Sequence, residues 1–411
     1  MHNLFQKFQQ LKHPTFSNPQ RGLTDAEINQ YLQGFPYQLP ADVCMLYKWC
    51  NLYDQADHPD TWLFPVGYLL PLQQSLELYN MYVGISVDEE NHAGIDPTDY
   101  TKQWNNPYFI QPSLQDPPIW DRRWLPIFGD AAGGDYIVVC DAVEQPLAPI
   151  YFRTSDLGEF YFAYDSLTSM LLTMIEIWET HAYRRDKNGV VRLDRAKASS
   201  IYNRHNPHRR AWFFHVTQAS SLAEIVLNLD HADEDTRYYA YLALQYMFEP
   251  EFVALLLQQL DHPNIEMRIR VVNLLRILDD QQAVLPLIPL LADSEPTVQL
   301  AVVNALIDLQ DKRAVAPLFA MLQHPNDKIR ERVIYGLGEF RVQFAIPALL
   351  TILATDKPMV RSEAARTLGK LGDQQAVPAL INALQDDHPQ VRHSALWALS
   401  ELGDGSHQAI D

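Results

Sequence analysis

Residues 360–380 read VRSEAARTLGKLGDQQAVPAL, and the stretch recurs along the second half of the chain. Its opening pair, Val360-Arg361, returns as Thr236-Arg237, Met267-Arg268, Val298-Gln299, Ile329-Arg330 and Val391-Arg392, at steps of 31 residues. Ala376 belongs to a second ladder with Ala283, Ala314 and Ala345, and Leu368 to a third with Leu244, Leu275, Leu306, Leu337 and Leu399. A period of this size is the mark of an α-solenoid, in which each unit buries its apolar face only against its neighbours. Each unit reads as two helices. In the last, Ala376–Leu384 is the first helix, Gln385 to Pro389 the turn, and Val391–Leu402 the second helix, stopped at Gly403-Asp404. Pro389 fits near the start of a helix, where a missing N–H costs nothing, and glycine fits at the stop. Six units span residues 220–411. Solenoids present long shallow surfaces and seldom a closed catalytic pocket, which directs attention to protein binding.

The repeated arginine has a structural reading and a functional one. At the start of a second helix it can bond to an Asp or a carbonyl in the turn of its own or the next unit and hold the repeats in register. Arg237, Arg268, Arg330, Arg361 and Arg392 are expected to form this ladder, and Gln299 interrupts it. On the outward row of the second helices, Tyr335, Arg366 and Trp397 are candidate anchors, because these residue types dominate binding hot spots. The bland alternative for Trp397 is a cap on the end of the stack.

The pattern V-R-x-x-A-x-x-A-L-G-x-L-G-D-x-x-A-V-P-A-L resembles HEAT-like repeats of the phycobilisome-lyase type, over about 190 residues. The resemblance implies the fold. It leaves function open among scaffolds, bilin lyases and a diiron hydroxylase. The hydroxylase carries His-Glu pairs as iron ligands, and no His-Glu dipeptide occurs here.

The whole chain has 411 residues, too many for one ordinary domain, and 47% of them are hydrophobic. No run approaches the roughly 18 apolar residues of a membrane helix, and Met1–Lys12 has no signal-peptide core. Three cysteines, Cys44, Cys50 and Cys140, sit in no C-x-x-C motif, which fits a reducing cytoplasm. Net charge is −19. Such a chain repels phosphate backbones and attracts basic partners, so nucleic acid is not expected and a basic protein is. There is no P-loop, nucleophile elbow, dinucleotide fingerprint or zinc-finger spacing; no catalytic residue, metal or cofactor is assigned.

Residues 1–183 read as mixed α and β. Thr24 caps a helix to about Leu32, Leu39-Pro40-Ala41-Asp42 opens another ending near Asn51, Asp135–Asp141 and Pro149–Arg153 form a hairpin, and Ser166–Arg184 is a closing helix. Asp88-Glu89-Glu90 with His92 reads as a charged loop. Gly133-Gly134-Asp135 precedes a strand, with no following helix and no Lys or Arg, so it reads as a tight turn rather than a phosphate cradle.

The order Leu39 to Asp42, Asn51-Leu52, Trp124 to Asp135 and a final amphipathic helix resembles the Smi1/Knr4 family, or SUKH superfamily, over about 23–180. The family's Asn-Gly glycine is missing, and the insert from Asp88 to Pro118 is long. The resemblance implies a binding module. Many bacterial members look like immunity proteins that neutralise toxins, and fungal members act in cell-wall signalling. It points to Trp124, Asp130, Gly133, Gly134 and Asp135 as a contact surface, with a fold-defining role as the alternative for Trp124 and Gly134.

Between the domains, residues 184–219 hold nine basic and two acidic residues. They read as an internal clamp against two acidic domains or as a docking site for an acidic partner. His205-x-x-His208 is a weak metal pattern. The expected protein is an α+β SUKH-like domain (1–183), a basic connection (184–219) and a HEAT-like α-solenoid (220–411). It is expected to be a cytoplasmic, non-catalytic immunity or adaptor protein binding a basic partner such as a toxin domain. The alternative is a phycobilin lyase or phycobilisome chaperone.

Overall fold

The computed structural model describes residues 2–10, 21–51, 68–93, 122–129, 134–143, 145–153, 160–185 and 191–403. The chain divides into two compact units, residues 1–250 and 251–411.

The first unit opens with α1 (His2–Gln10), α2 (Asp25–Tyr31) and α3 (Ala41–Trp49). Thr24 and Glu27 close a reciprocal capping box at the start of α2, as its sequence requires. An antiparallel sheet follows in the order β1 (Tyr68–Leu69), β2 (Trp124–Gly129), β3 (Asp135–Val139), β4 (Ile150–Arg153) and β5 (Phe160–Tyr164). Strand β3 pairs with β4 from Asp135↔Arg153 to Val138↔Ile150, the expected hairpin. Helix α4 (Leu72–Ala93) runs between β1 and β2. The run Asp88–Glu90 and His92 therefore lies on a helix and not in a loop; its side chains lie outside the described residues. Helix α5 (Leu167–Glu179) begins at a Ser166–Ser169 capping box. It ends earlier than its apolar pattern suggests, because His181 turns left-handed (φ 51°) and Tyr183–Arg185 becomes β6 of a hairpin with β7 (Val191–Leu193).

The connection then folds as a helix pair, α6 (Arg195–His205) and α7 (Pro207–Val216), and the first repeat supplies α8 (Leu222–Leu227) and α9 (Glu234–Tyr246). These helices complete the core of the first unit. Trp212 is fully buried between Tyr151 of β4 (6.3 Å) and Tyr239 of α9 (5.8 Å), and Tyr161 of β5 stacks on Tyr246 at 4.2 Å. The compact unit thus extends to Pro250, past the boundaries at 183 and 219 read from sequence, because aromatic packing joins the sheet to the first repeat.

In the second unit the helices alternate as α10 (Glu251–Leu257) with α11 (Ile265–Leu278), α12 (Val284–Leu287) with α13 (Pro296–Asp308), and α14 (Val315–Ala320) with α15 (Asp327–Glu339). Helices α16 (Ile346–Thr355) with α17 (Pro358–Leu371) and α18 (Val377–Ala383) with α19 (Pro389–Gly403) complete it. Short 3₁₀ turns begin the first helices of the later pairs, where Asp280, Asp311 and Asp373 accept from the backbone two residues on. Successive second helices pack closely because glycine leaves room. A Cβ on Gly336 would lie 2.6 Å from the Ile307 side chain, and one on Gly369 would lie 2.7 Å from Ala398. The chain therefore joins an α+β domain to a helical-repeat solenoid.

Candidate protein-binding surfaces

The arginine ladder is a set of internal bonds. Arg268 makes a two-pronged pair with Asp293 (3.0 and 3.0 Å) and also donates to the His262 carbonyl at 2.8 Å. Arg330 repeats this with Asp356 (3.0 and 2.6 Å), and Arg361 with Asp386 (3.0 and 2.7 Å). Arg237 and Arg392 donate to carbonyls of their own turns, His231 and Ala232 for the one, Asp386 and Asp387 for the other. Gln299 bonds the Asp293 carbonyl at 2.7 Å, and the residue 25 places on from it is His324 where Arg268 and Arg361 find an Asp.

The outward row of the second helices is also paired with itself. Arg332 lies 4.6 Å from the Tyr335 ring centre and Lys370 lies 4.8 Å from it. Lys370 bonds Glu339 at 2.7 Å, Arg276 bonds Asp308 at 2.9 Å, and Arg332 bonds Asn304. Tyr335 is half-buried under two cations, which leaves it little ring face to offer. Arg366 is exposed, and half-buried Trp397 packs beside Gly369. Burial raises the Glu363 pKa against the pull of Arg366 and Lys370.

In the first unit, three of the five expected contact residues are interior. Trp124 is 1% exposed and stacks on Phe160 at 4.7 Å. Gly134 is buried and Asp135 is 6% exposed. The Trp124 ring is therefore core, not binding surface, because no area of it is left for a partner. Asp130 and Gly133 lie outside the described residues. Asp135 accepts from Tyr82 Oη and Arg153 Nη2, both at 2.9 Å, and the Arg153 guanidinium covers the Tyr82 ring at 4.3 Å. This cluster ties α4 to the start of β3 and to β4.

The basic connection is spent internally wherever its side chains are described. Arg209 is buried, bonds the Tyr246 carbonyl, and lies 4.8 Å from the Tyr202 ring and 5.4 Å from that of Phe248. Arg210 pairs with Glu249 at 3.3 Å, Arg204 pairs with Glu176, and Arg195 donates to the Gln245 carbonyl. His205 meets Glu176 at 2.7 Å and His208 meets Asp165 at 2.6 Å, so each histidine faces a carboxylate and the two do not share a ligand site. Among the described residues no group of three or more His, Cys, Asp or Glu is placed to hold a metal, and no helix is long and apolar enough to cross a membrane. Cys50 and Cys140 are buried, and burial pushes the Cys140 thiol well up.

Residues 22–173 match the model of the SMI1/KNR4 family (SUKH-1), and residues 284–360 and 346–411 match that of HEAT repeats. The chain carries a SUKH domain followed by HEAT repeats, and together these indicate a protein-interaction role. No curated protein matches it. Among solved structures, it is 24% identical to the complex of CpcE and CpcF of phycocyanin lyase from Nostoc sp. PCC7120, over 44% of this chain and 77% of that one, with a TM-score of 0.34. Human deoxyhypusine hydroxylase in complex with glycerol is 19% identical, over 48% and 91%, with a TM-score of 0.24. A designed armadillo repeat protein in complex with the peptide (KR)4 is 20% identical, over 44% and 100%, with a TM-score of 0.35.

Proposed function

We propose that this chain is a non-catalytic adaptor of the immunity type, and that residues 1–250 recognise a basic protein such as a toxin domain. The observation that carries the reading is where the charge is left over. Residues 1–250 hold 31 Asp and Glu against 18 Lys and Arg, and 251–411 hold 20 against 14. In the first unit the connection's described cations are consumed by Glu176, Glu249, carbonyls and ring faces, so they do not offset the acidic surface outside. In the second unit the cations and carboxylates of the outward row pair with one another. The larger uncompensated charge is therefore carried by the first unit, and it accelerates encounter with a basic partner and disfavours acidic ones. The segment around Asp130 and Gly133 is the proposed contact. The repeats serve as a second platform, with Arg366 and Trp397 the residues of their outward row left to present.

The test is capture from native lysate with the full chain as bait, at low salt and with stepwise salt elution. A basic protein released by moderate salt supports the reading. Recovery of a bilin-bearing or antenna protein instead would replace it with lyase or chaperone work on the repeats.

A further inference from the structure

Three joints between successive helix pairs are latched at the start of the second helix by an ion pair: Arg268 with Asp293, Arg330 with Asp356 and Arg361 with Asp386. One joint lacks the latch. Between the pairs α12–α13 and α14–α15, the places of the arginine and the aspartate are taken by Gln299 and His324, which do not bond to each other. Gln299 spends its amide N–H on the Asp293 carbonyl of its own pair, and its Oε1 is buried without a partner. A second ladder skips the same joint. Gln281, Gln343 and Gln374 reach forward from the turn between pairs and bond the carbonyls of Leu309, Leu371 and Leu402. Lys312 takes the equivalent place here, is exposed, and leaves that bond unmade. The contacts that do cross the joint lie towards the ends of the second helices. Arg332 bonds Asn304 and lies 3.9 Å from Asp308, Ile307 fills the space over Gly336, and Arg313 donates to the Gln281 carbonyl at 3.0 Å. Among the described residues no side-chain hydrogen bond joins these two pairs near their inter-helix turns.

We infer that the repeats flex at this joint as a hinge. Residues 251–313 and 314–403 move as two blocks, parting at the inter-helix turns and pivoting where Arg332 and Gly336 keep α13 and α15 together. In a helical array each repeat touches only its neighbours, so the interface with the fewest bonds yields first. Two energies favour this joint over the others. Opening it breaks no two-pronged ion pair, whereas opening the joints on either side strips Arg268 from Asp293 or Arg330 from Asp356. Opening it also lets water reach the Gln299 Oε1, which satisfies an acceptor that the closed joint leaves bare. The outward row runs across the hinge, with Asn273 and Asn304 on one block and Tyr335 and Arg366 on the other. Hinge motion changes the curvature of that row without remaking the core of either block, so the platform adapts to the shape of what lies along it. This inference stands independently of the basic partner.

Double electron–electron resonance between nitroxide labels on the full chain tests it, in a C44S background because Cys50 and Cys140 are buried. Leu285, Ala316, Pro347 and Pro378 are exposed and hold equivalent places on successive first helices. Labels at L285C with P347C span the hinge and the joint after it, and labels at A316C with P378C span two latched joints. The first pair should give the broader distance distribution. Q299R with H324D supplies the missing latch and should narrow that distribution to the width of the second pair. R361Q with D386H moves the interrupted rung to the last joint and should broaden the second pair while leaving the first unchanged. Equal widths for the two pairs in the parent overturn the inference. So does a first pair that stays broad in Q299R with H324D, or a second pair that R361Q with D386H leaves narrow.

Discussion

Arg361 donates two parallel bonds to Asp386, a third to Asp387 at 2.7 Å, and one to the Asp356 carbonyl at 2.9 Å. Its side chain is 15% exposed and that of Asp386 is 13% exposed, so the pair is screened far less than a surface bridge. R361A should cost about 2 kcal/mol in chemical denaturation. R392A, which removes only bonds to carbonyls from an exposed side chain, should cost under about 1 kcal/mol. Burial alone would raise the Asp386 pKa, but the bonds from Arg361 and from the His388 backbone outweigh it and hold the carboxyl below its usual range. A depressed folded pKa contributes stability above the unfolded value and loses it as pH falls through the folded one. The parent should therefore lose stability on acidification more steeply than R361A. The interrupted rung allows a stricter check. Asp293 and Asp386 each also accept a backbone N–H two residues on, at 2.9 Å, and His324 accepts from Asn326 in the same way. Asp at 324 can thus keep the turn and receive a new arginine. Q299R with H324D should stabilise the repeats by about 1–2 kcal/mol beyond the sum of the single changes, read as a double-mutant cycle.

At the scale of elements, the second helices stop in a shared way. Phe248, Asp279, Gln310, Arg341 and Gly372 stand 31 residues apart, and all have positive φ, from 52° to 77°. Only the last is glycine, so the other four bear the strain that a Cβ brings in the left-handed region. R341G should raise stability by roughly 0.5–1 kcal/mol, the strain relieved less the added freedom of the unfolded glycine, in thermal or denaturant unfolding. This ladder was hidden in the sequence because four different residue types fill it. Gly403, which fits the pattern of a helix stop, instead ends α19 without a positive φ. The helix pairs were legible because apolar residues return at a fixed step. The strand Phe160–Tyr164 and the helix Leu72–Ala93 were not, the one a continuous apolar and aromatic run without alternation and the other weakly amphipathic. Of the contact residues read from Trp124 to Asp135, Trp124 takes the fold-defining alternative and Asp135 is interior, because both are held by partners distant in sequence, Phe160, Tyr82 and Arg153.

For the whole molecule, the unit boundary decides which fragments can be studied. A cut after residue 183 removes Tyr202, Trp212 and Tyr246 from the aromatic residues of β4 and β5 that they cover. Residues 1–183 should aggregate or unfold, whereas 1–250 should melt cooperatively, as calorimetry would show. The basic connection accounts for this. Its net +7 reads in sequence as an internal clamp or a docking site, and its described cations bond to Glu176 of α5 and the Tyr246 carbonyl of α9. The acidic excess that remains is the basis of the adaptor reading, so partner recognition by the two units is its most direct test. Residues 1–250 and 251–411 should be compared, each immobilised, for binding the partner captured by the full chain across a salt series. The account expects a basic protein that binds 1–250 with affinity falling as salt rises. Binding confined to 251–411, or unaffected by salt, would contradict it.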